Sequence, residues 1–151
     1  MCGITGIVLR RSETVTESLL RDMTDSMIHR GPDEDGIHIH ENVGIGMRRL
    51  SIMDVAGGTQ PLFSQDQKIA MVGNGEIYNF RAVQDELKDI HQFTTTTDME
   101  VVAPLFQKYG LDFPNQMEGM FGLAVLDKPN NRLHLIRDRI GIKPVFLAQT
   151  G

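Results

Sequence analysis

The stretch "MFGLAVLDKPNNRLHLIRD" (residues 120–138) indicates most clearly which kind of fold the chain adopts. It begins as an apolar run and ends in alternating apolar and polar residues, and the polar "KPNN" segment between them is typical of a turn. Two strands joined by so short a turn run antiparallel. The stretch therefore predicts an antiparallel β-hairpin.

The rest of the chain repeats this pattern of paired strands, with helices between the pairs. Further strands are predicted at residues 3–9, at 37–40 and 43–47 as a second hairpin, at 69–74 leading into Gly75-Glu76, and at 93–97. Helices are predicted from a Thr16 cap to near His29, from Phe80 to Leu87, and over residues 98–109. This order favours an α+β layered domain over a doubly wound parallel sheet.

Composition and charge argue against several classes of protein. The 151 residues suffice for one domain with a hydrophobic core, and the net charge is −5. Without a basic run of four or more residues, no nucleic-acid partner is expected, and the apolar runs are far shorter than the roughly 20 residues of a membrane span. The N-terminus does not resemble a signal peptide, and a single cysteine cannot form an intrachain disulfide. We expect a cytoplasmic chain.

The single cysteine is the second residue, and two interpretations compete for it. A lone cysteine is often a small buried hydrophobic residue. If the initiator methionine is removed, however, Cys2 carries both a thiol and a free α-amine. Free α-amines have pKa values of about 7.7–8.0, so such an amine can act as the base that activates the thiol. Its position makes Cys2 a candidate nucleophile.

Three further segments carry groups that attack on an amide would need, although each also has a structural explanation. Asn74-Gly75 could donate two N–H groups to an oxyanion or form a two-residue turn. Arg48, Arg49 and Asp54, in "RRLSIMD" (48–54), could bind charged groups of a substrate or lie at a solvated strand end. Asp98 and Glu100, in "TTTTDME" (94–100), could bind a charged group of a substrate or cap the following helix.

Five motifs, taken in order, resemble one enzyme family. They are "MCGITGI" at the start, "HRGPDEDG" (29–36), "RRLSIMD" (48–54), "NGEIYNF" (74–80) and "RDRIGIKPVF" (137–146). Their order and spacing resemble the class II, N-terminal-nucleophile glutamine amidotransferase domain. Within that family they look most like the N-terminal domain of glutamine-hydrolysing asparagine synthetases. The resemblance extends from Cys2 to Phe146.

The resemblance implies a role for each candidate residue. Cys2 would be the nucleophile that forms a γ-glutamyl thioester once Met1 is removed, and its own α-amine would move the proton. Asn74 and Gly75 would form the oxyanion hole and also contact the substrate. The other residues implied in L-glutamine binding are Arg49 at the α-carboxylate, Glu76 and Asp98 at the α-ammonium group, and Leu50, Ser51, Ile52 and Met53 along the pocket.

The resemblance also implies a fold and a larger parent protein. The family fold is a four-layer α/β/β/α sandwich of antiparallel sheets. Residues 2–151 would form it with an incomplete C-terminal end, because "PVFLAQTG" (144–151) still reads as a strand. The ammonia would pass to a synthetase domain that uses ATP and Mg to make asparagine. That domain is not visible in this sequence, so no cofactor is expected here; the expected partners are L-glutamine, the synthetase domain and a second copy in a homodimer.

No metal site is expected from the sequence. The "HRGPDEDG" segment lacks the Asp-x-Asp-x-Asp-Gly frame of a calcium loop, and His38 and His40 have no third ligand at a suitable spacing. Two residues differ from those that are usual at their positions in the family. Met99 replaces a hydroxyl-bearing residue, which would reshape the wall of the pocket, and Met47 stands where a polar or aromatic residue is common. Neither change removes a charged or oxyanion-binding group.

Two alternative functions stay open at this point. The chain could be an inactive fragment or a regulatory module that binds glutamine without turnover, which retention of Met1 would favour. Alternatively, the ammonia could serve a sugar-phosphate or ribosyl acceptor. The motif "HRGPDEDG" argues against this, because it looks most like that of the asparagine synthetases. Glutamine hydrolysis at Cys2 is the leading hypothesis because it uses the complete set of candidate residues.

Overall fold

The secondary structure consists of strands and short helices, as given by a computed structural model that describes residues 2–50 and 58–149. The strands in these ranges are β1 (Gly3–Val8), β2 (Glu34–His40), β3 (Val43–Arg49), β4 (Leu62–Phe63), β5 (Ile69–Ile77), β6 (Gly119–Asp127) and β7 (Arg132–Arg137). The α-helices are α1 (Glu17–Asp25), α2 (Phe80–Leu87) and α3 (Val102–Tyr109). Two 3-10 segments, Asp98–Val101 and Gly110–Gln116, flank α3.

The strands form two antiparallel sheets that pack face to face. The first sheet has the order β1-β3-β2 and the second has the order β4-β5-β6-β7. Helix α1 covers the outer face of the first sheet, and α2 and α3 pack outside the second sheet. The result is an α/β/β/α arrangement, which confirms the α+β sandwich expected from the sequence. The predicted hairpins at 37–47 and 120–138 are both formed, as β2-β3 and β6-β7.

The alternation of side chains along β5 determines which apolar cluster each residue joins. Ala70 and Val72 are buried between the two sheets, whereas Met71 is buried against the helices. Because both faces of the second sheet are covered, its central strands are continuous apolar runs. Asn74 and Glu76 follow at the same parity as Ala70 and Val72. Their side chains are therefore directed towards the first sheet.

Helix α1 begins at the predicted cap and ends earlier than predicted. The Thr16 hydroxyl oxygen accepts a hydrogen bond from the Leu19 amide, 3.3 Å away, which satisfies a free N–H group of the first turn. The helix ends at Asp25 rather than near His29, because the amides of Met27 and Ile28 bond to carbonyls three residues back and form turns. No helix in the described ranges is both long enough and apolar enough to cross a membrane.

Two of the predicted strands are wrong. Residues 93–97 form no strand, because the amides of Thr94 and Thr95 donate instead to the buried carboxylate of Glu100, at 2.8 and 2.9 Å. Residues 144–149, the described part of the expected C-terminal strand, also form none. Pro144 at the start of that segment has no N–H to donate to a strand ladder.

Candidate active site

Cys2 lies immediately before β1, at one end of the space between the sheets. Its side chain is half-buried and packs against the apolar cluster that the sheets enclose. The thiol donates a hydrogen bond to the carbonyl oxygen of Leu50, with the sulfur 3.8 Å from that oxygen. Leu50 follows β3, the partner strand of β1. The thiol is therefore held at the edge of the first sheet, with one side still accessible.

Asn74 and Gly75 lie within β5 and not in a turn, so the two-residue turn considered from the sequence is wrong. The strand continues to Ile77, and Asn74 and Gly75 lie opposite Gly122 and Phe121 of β6. A side chain at position 75 would place its Cβ 2.0 Å from the Met120 carbonyl oxygen. Glycine is therefore required for the strands to approach this closely.

The backbone of β5 directs the Gly75 N–H away from β6. The amides of Gly73 and Ile77 bond to the side chains of Gln60 and Asp98, which lie on the edge of β5 opposite to β6. Alternate residues of a strand present their N–H groups to the same edge. Gly75 lies between these two residues, so its N–H faces that edge as well, beside the Asn74 side chain.

Arg49 ends β3 as a buried cation with an acidic partner, which rules out the solvated strand end considered from the sequence. Its side chain is 6% exposed, and its Nη1 lies 2.8 Å from Glu34 Oε2. The Thr59 hydroxyl donates to the same Glu34 oxygen over 3.0 Å. The neighbouring Arg48 points to the other face and pairs with Asp25 of α1. Alternation along β3 thus sends only Arg49 towards the second sheet.

Two carboxylates, Asp98 and Glu76, lie at the end of β5. Asp98 is buried, and its Oδ2 accepts a hydrogen bond of 2.6 Å from the Ile77 amide. Burial raises the pKa of Asp98 above its ordinary value, against hydrogen bonds from Ile77 and nearby amides, and the charge of Glu76 raises it further. Glu76 is exposed. The pair thus places negative charge at one end of the site.

These residues line one cleft of about 110 Å³ between the sheets. The structure brings together seven of the residues singled out from the sequence: Cys2, Arg49, Leu50, Asn74, Gly75, Glu76 and Asp98. The other three, Ser51, Ile52 and Met53, lie outside the described residues. Sequence reasoning assigned no site role to four further residues that line the cleft, namely Gln60, Gly73, Thr97 and Lys143; Met99, expected at the wall of the pocket, lines it as well.

Lys143 reaches the cleft because the loop after β7 is held by two adjacent side chains. The Asp138 carboxylate accepts hydrogen bonds of 2.9 Å from the amides of Ile142 and Lys143. The Arg137 guanidinium donates to the carbonyl oxygens of Gly141 and Lys143, at 2.7 and 3.0 Å. The motif "RDRIGIKPVF" was the only sequence signal for this arrangement, and it did not reveal which side chain would face the cleft.

The two methionines that differ from the residues usual in the family have different surroundings. Met99 lines the cleft and is 3% exposed, next to Gly73 of β5. Met47 is buried in the apolar cluster between the sheets. A change of pocket shape therefore concerns Met99, whereas Met47 contributes to the core.

The cleft combines three kinds of group that amide chemistry requires. It has a thiol at Cys2, N–H donors at Asn74 and Gly75, and charged side chains of both signs around them. In residues 2–50 and 58–149, no group of three or more His, Cys, Asp or Glu side chains is arranged to hold a metal ion. The arrangement suits attack by sulfur on the side-chain amide of a zwitterionic amino acid.

Comparisons with known proteins find relatives among the glutamine-hydrolysing asparagine synthetases. Asparagine synthetase [glutamine-hydrolyzing] 2 of Bacillus subtilis (strain 168) is 41% identical over 99% of this chain and 20% of its own length. Asparagine synthetase [glutamine-hydrolyzing] 3 of Arabidopsis thaliana is 37% identical over 98% of this chain and 26% of its own. The chain thus spans about a fifth to a quarter of the length of these relatives.

A solved structure shows the same fold. It is glutamine phosphoribosylpyrophosphate (PRPP) amidotransferase from B. subtilis, complexed with ADP and GMP. The TM-score is 0.65 at 19% identity, over 85% of this chain and 35% of that chain. The glutamine amidotransferase domain family matches residues 1–151 of the present sequence. The chain therefore belongs to the glutamine amidotransferase domain family.

Proposed function

We propose that this chain hydrolyses L-glutamine to glutamate and ammonia through a thioester at Cys2. The observation that carries the proposal is the convergence of Cys2, Asn74 and Gly75 with Arg49 and Asp98 in one cleft. Cys2 immediately precedes β1, Arg49 ends β3, Asn74 and Gly75 belong to β5, and Asp98 begins a 3-10 segment. The membership of the chain in the glutamine amidotransferase domain family supports the same reaction.

In the proposed reaction the Cys2 sulfur attacks the carbonyl carbon of the glutamine side-chain amide. A C–S bond forms and the carbonyl π electrons move onto oxygen, where the Asn74 side-chain amide and the Gly75 N–H stabilise the negative charge. The C–N bond then breaks, and ammonia leaves with the proton that the α-amine of Cys2 has taken from the thiol. Water adds to the thioester carbonyl, and the C–S bond breaks to release glutamate and the thiol.

The charged side chains would bind the two ends of the amino-acid group of glutamine. Arg49 would hold the α-carboxylate, with Glu34 fixing the orientation of the guanidinium through their 2.8 Å contact. Glu76 and Asp98 would hold the α-ammonium group. A bound ammonium group favours the charged form of Asp98, which burial otherwise disfavours.

In a longer parent protein, we propose that the ammonia passes to an asparagine-forming synthetase domain. Support comes from the relatives, which are named glutamine-hydrolysing asparagine synthetases and are several times longer than the matched segment. On this proposal ATP and Mg belong to that synthetase domain, and residues 2–151 act without a cofactor. A homodimer and a cytoplasmic location stay predictions.

The first test is intact mass of the purified chain before and after an electrophilic glutamine analogue, together with an assay of glutamate release. We expect loss of Met1, one covalent adduct that excess glutamine blocks, and no activity in Cys2→Ala. Turnover that survives Cys2→Ala would refute the mechanism. Glutamine binding without turnover in the wild type would instead indicate a regulatory module.

A further inference from the structure

The edge of β5 that faces the cleft is held partly by strand β4 and partly by side chains. Met71 lies opposite Leu62 of β4, and Ile77 donates its amide to Asp98. Strand β4 contains only Leu62 and Phe63, so its backbone ladder does not continue along β5 towards Gly73. Pro61, the residue before β4, has no N–H to extend that ladder. The attachment at Gly73 is therefore made by a side chain, as it is at Ile77.

That side chain belongs to Gln60, which the register of β4 and β5 would place opposite Gly73. The Gly73 amide donates to Gln60 Oε1 over 2.6 Å, and Gln60 Nε2 donates to the Gly73 carbonyl oxygen over 3.2 Å. The carboxamide thus makes the two bonds that a neighbouring strand would make. Gln60 is 5% exposed and lines the cleft with Asn74 and Gly75.

The segment Gly73-Asn74-Gly75 needs such support because two of its three residues are glycines. Glycine loses more backbone freedom on ordering than any other residue, so holding this segment in one conformation costs more conformational entropy than for other residues. Strand β6 holds one edge of the segment. On the other edge Gln60 and Asp98 hold Gly73 and Ile77, which leaves the Gly75 N–H between them facing the cleft.

We propose that Gln60 is a positioning residue that aims the Asn74 and Gly75 N–H donors at the oxyanion by replacing the missing strand partner of Gly73. This inference rests on the proposed glutaminase function of the same cleft. Gln60 acts through the backbone of β5 and takes no proton. Its loss should therefore weaken stabilisation of the transition state more than binding of glutamine.

Gln60→Glu is the sharpest test, because it replaces the NH2 donor by a negatively charged acceptor oxygen with little change in shape. A carboxylate at position 60 still accepts from the Gly73 amide but cannot donate to the Gly73 carbonyl oxygen, whereas the protonated acid can. At pH 8 we expect kcat to fall about 10- to 100-fold, with KM changed less than about 3-fold. The ratio of variant to wild-type kcat should rise as the pH falls and the new acid becomes protonated.

Gln107→Glu is the matched control, since Gln107 is an exposed residue of α3. It makes the same chemical change on the exposed face of α3, outside the lining of the cleft, and should alter neither kcat nor its pH profile. The aldehyde analogue of glutamine, whose adduct with Cys2 places oxygen at the oxyanion position, should bind more weakly to Gln60→Glu. Amide NMR should show a shifted Gly75 N–H in that variant. If it does not fold, Gln60→Met, similar in size without donor or acceptor, takes its place.

The outcomes separate the two proposals. Wild-type turnover with unchanged kcat in Gln60→Glu would overturn the role of Gln60 and leave the glutaminase function standing. A wild type without turnover would refute that function. In that case the Gly75 amide resonance still decides whether Gln60 positions it: an unshifted resonance in Gln60→Glu would overturn the inference.

Discussion

Replacing Glu100 by glutamine tests the contact that organises the segment leading to Asp98. The buried carboxylate accepts two hydrogen bonds from Thr94, amide and hydroxyl, at 2.8 and 3.1 Å. It accepts two more from Thr95, at 2.9 and 2.6 Å. Its Oε1 also lies 3.4 Å from His91 Nε2. A glutamine side chain fits the same space but turns one acceptor into a donor that faces other donors.

The size of the effect follows from these contacts. Two of the four bonds to the threonines are lost, and at about 1.5 kcal/mol for each bond to a charged group the free energy of unfolding should fall by about 3 kcal/mol. For a domain of this size that corresponds to a Tm lower by about 6–12 °C. The loss is large against a total stability of about 5–15 kcal/mol.

The loss should also depend on pH. Burial alone would raise the pKa of Glu100, but hydrogen bonds from Thr95 and Thr94 outweigh it and lower the pKa below its ordinary value. A carboxylate with a lowered pKa in the folded state stabilises fully above its unfolded pKa, and the stabilisation disappears as the pH falls through the lowered value. The difference in free energy of unfolding between the wild type and Glu100→Gln should therefore become smaller at acid pH.

Urea unfolding at pH 7 and again in acid measures both effects, with Glu86→Gln as the control. Glu86 is a surface carboxylate that bonds to Lys108 and Tyr109, and such exposed pairs contribute about 0–1 kcal/mol. If Glu100→Gln lost no more stability at pH 7 than Glu86→Gln, the reasoning about the buried carboxylate would be refuted.

The remaining predictions concern Asp98 and Gly36. Burial raises the pKa of Asp98, so ionising this side chain is unfavourable in the folded state. The free energy of unfolding of the wild type should therefore fall as the pH rises from the ordinary pKa through the raised one. Asp98→Asn should therefore keep or raise the free energy of unfolding at pH 7 while raising KM for glutamine; a less stable variant with unchanged KM would contradict this. In Gly36→Ala the new Cβ would lie 1.9 Å from the Gln60 carbonyl oxygen, so kcat should fall as in Gln60→Glu. In Gly6→Ala the nearest contact of the new Cβ is at 3.2 Å, so kcat should fall much less. Equal decreases of kcat in the two variants, measured by glutaminase assay, would refute the steric argument.

Local pattern was sufficient where neighbouring residues decide the structure. The alternation in "RLHLIRD" predicted β7, and Thr16 predicted the start of α1 through its own side-chain cap. The prediction failed at residues 93–97, although their β-branched threonines favour a strand. Glu100, which is also close in sequence, takes the amides of Thr94 and Thr95, and propensity scales do not include such a competing acceptor.

For the cleft, the sequence by itself determined the candidates Cys2, Asn74 and Asp98, because each stands in a motif of adjacent residues with recognisable chemistry. Only the tertiary structure decided that Arg49 is paired with Glu34, and that Gln60 and Lys143 line the same cleft. Those facts depend on the register of β4 on β5 and on the loop that Arg137 and Asp138 hold. Register and loop position follow from the packing of whole sheets, which brings together residues far apart in the chain and leaves no local pattern around any one of them.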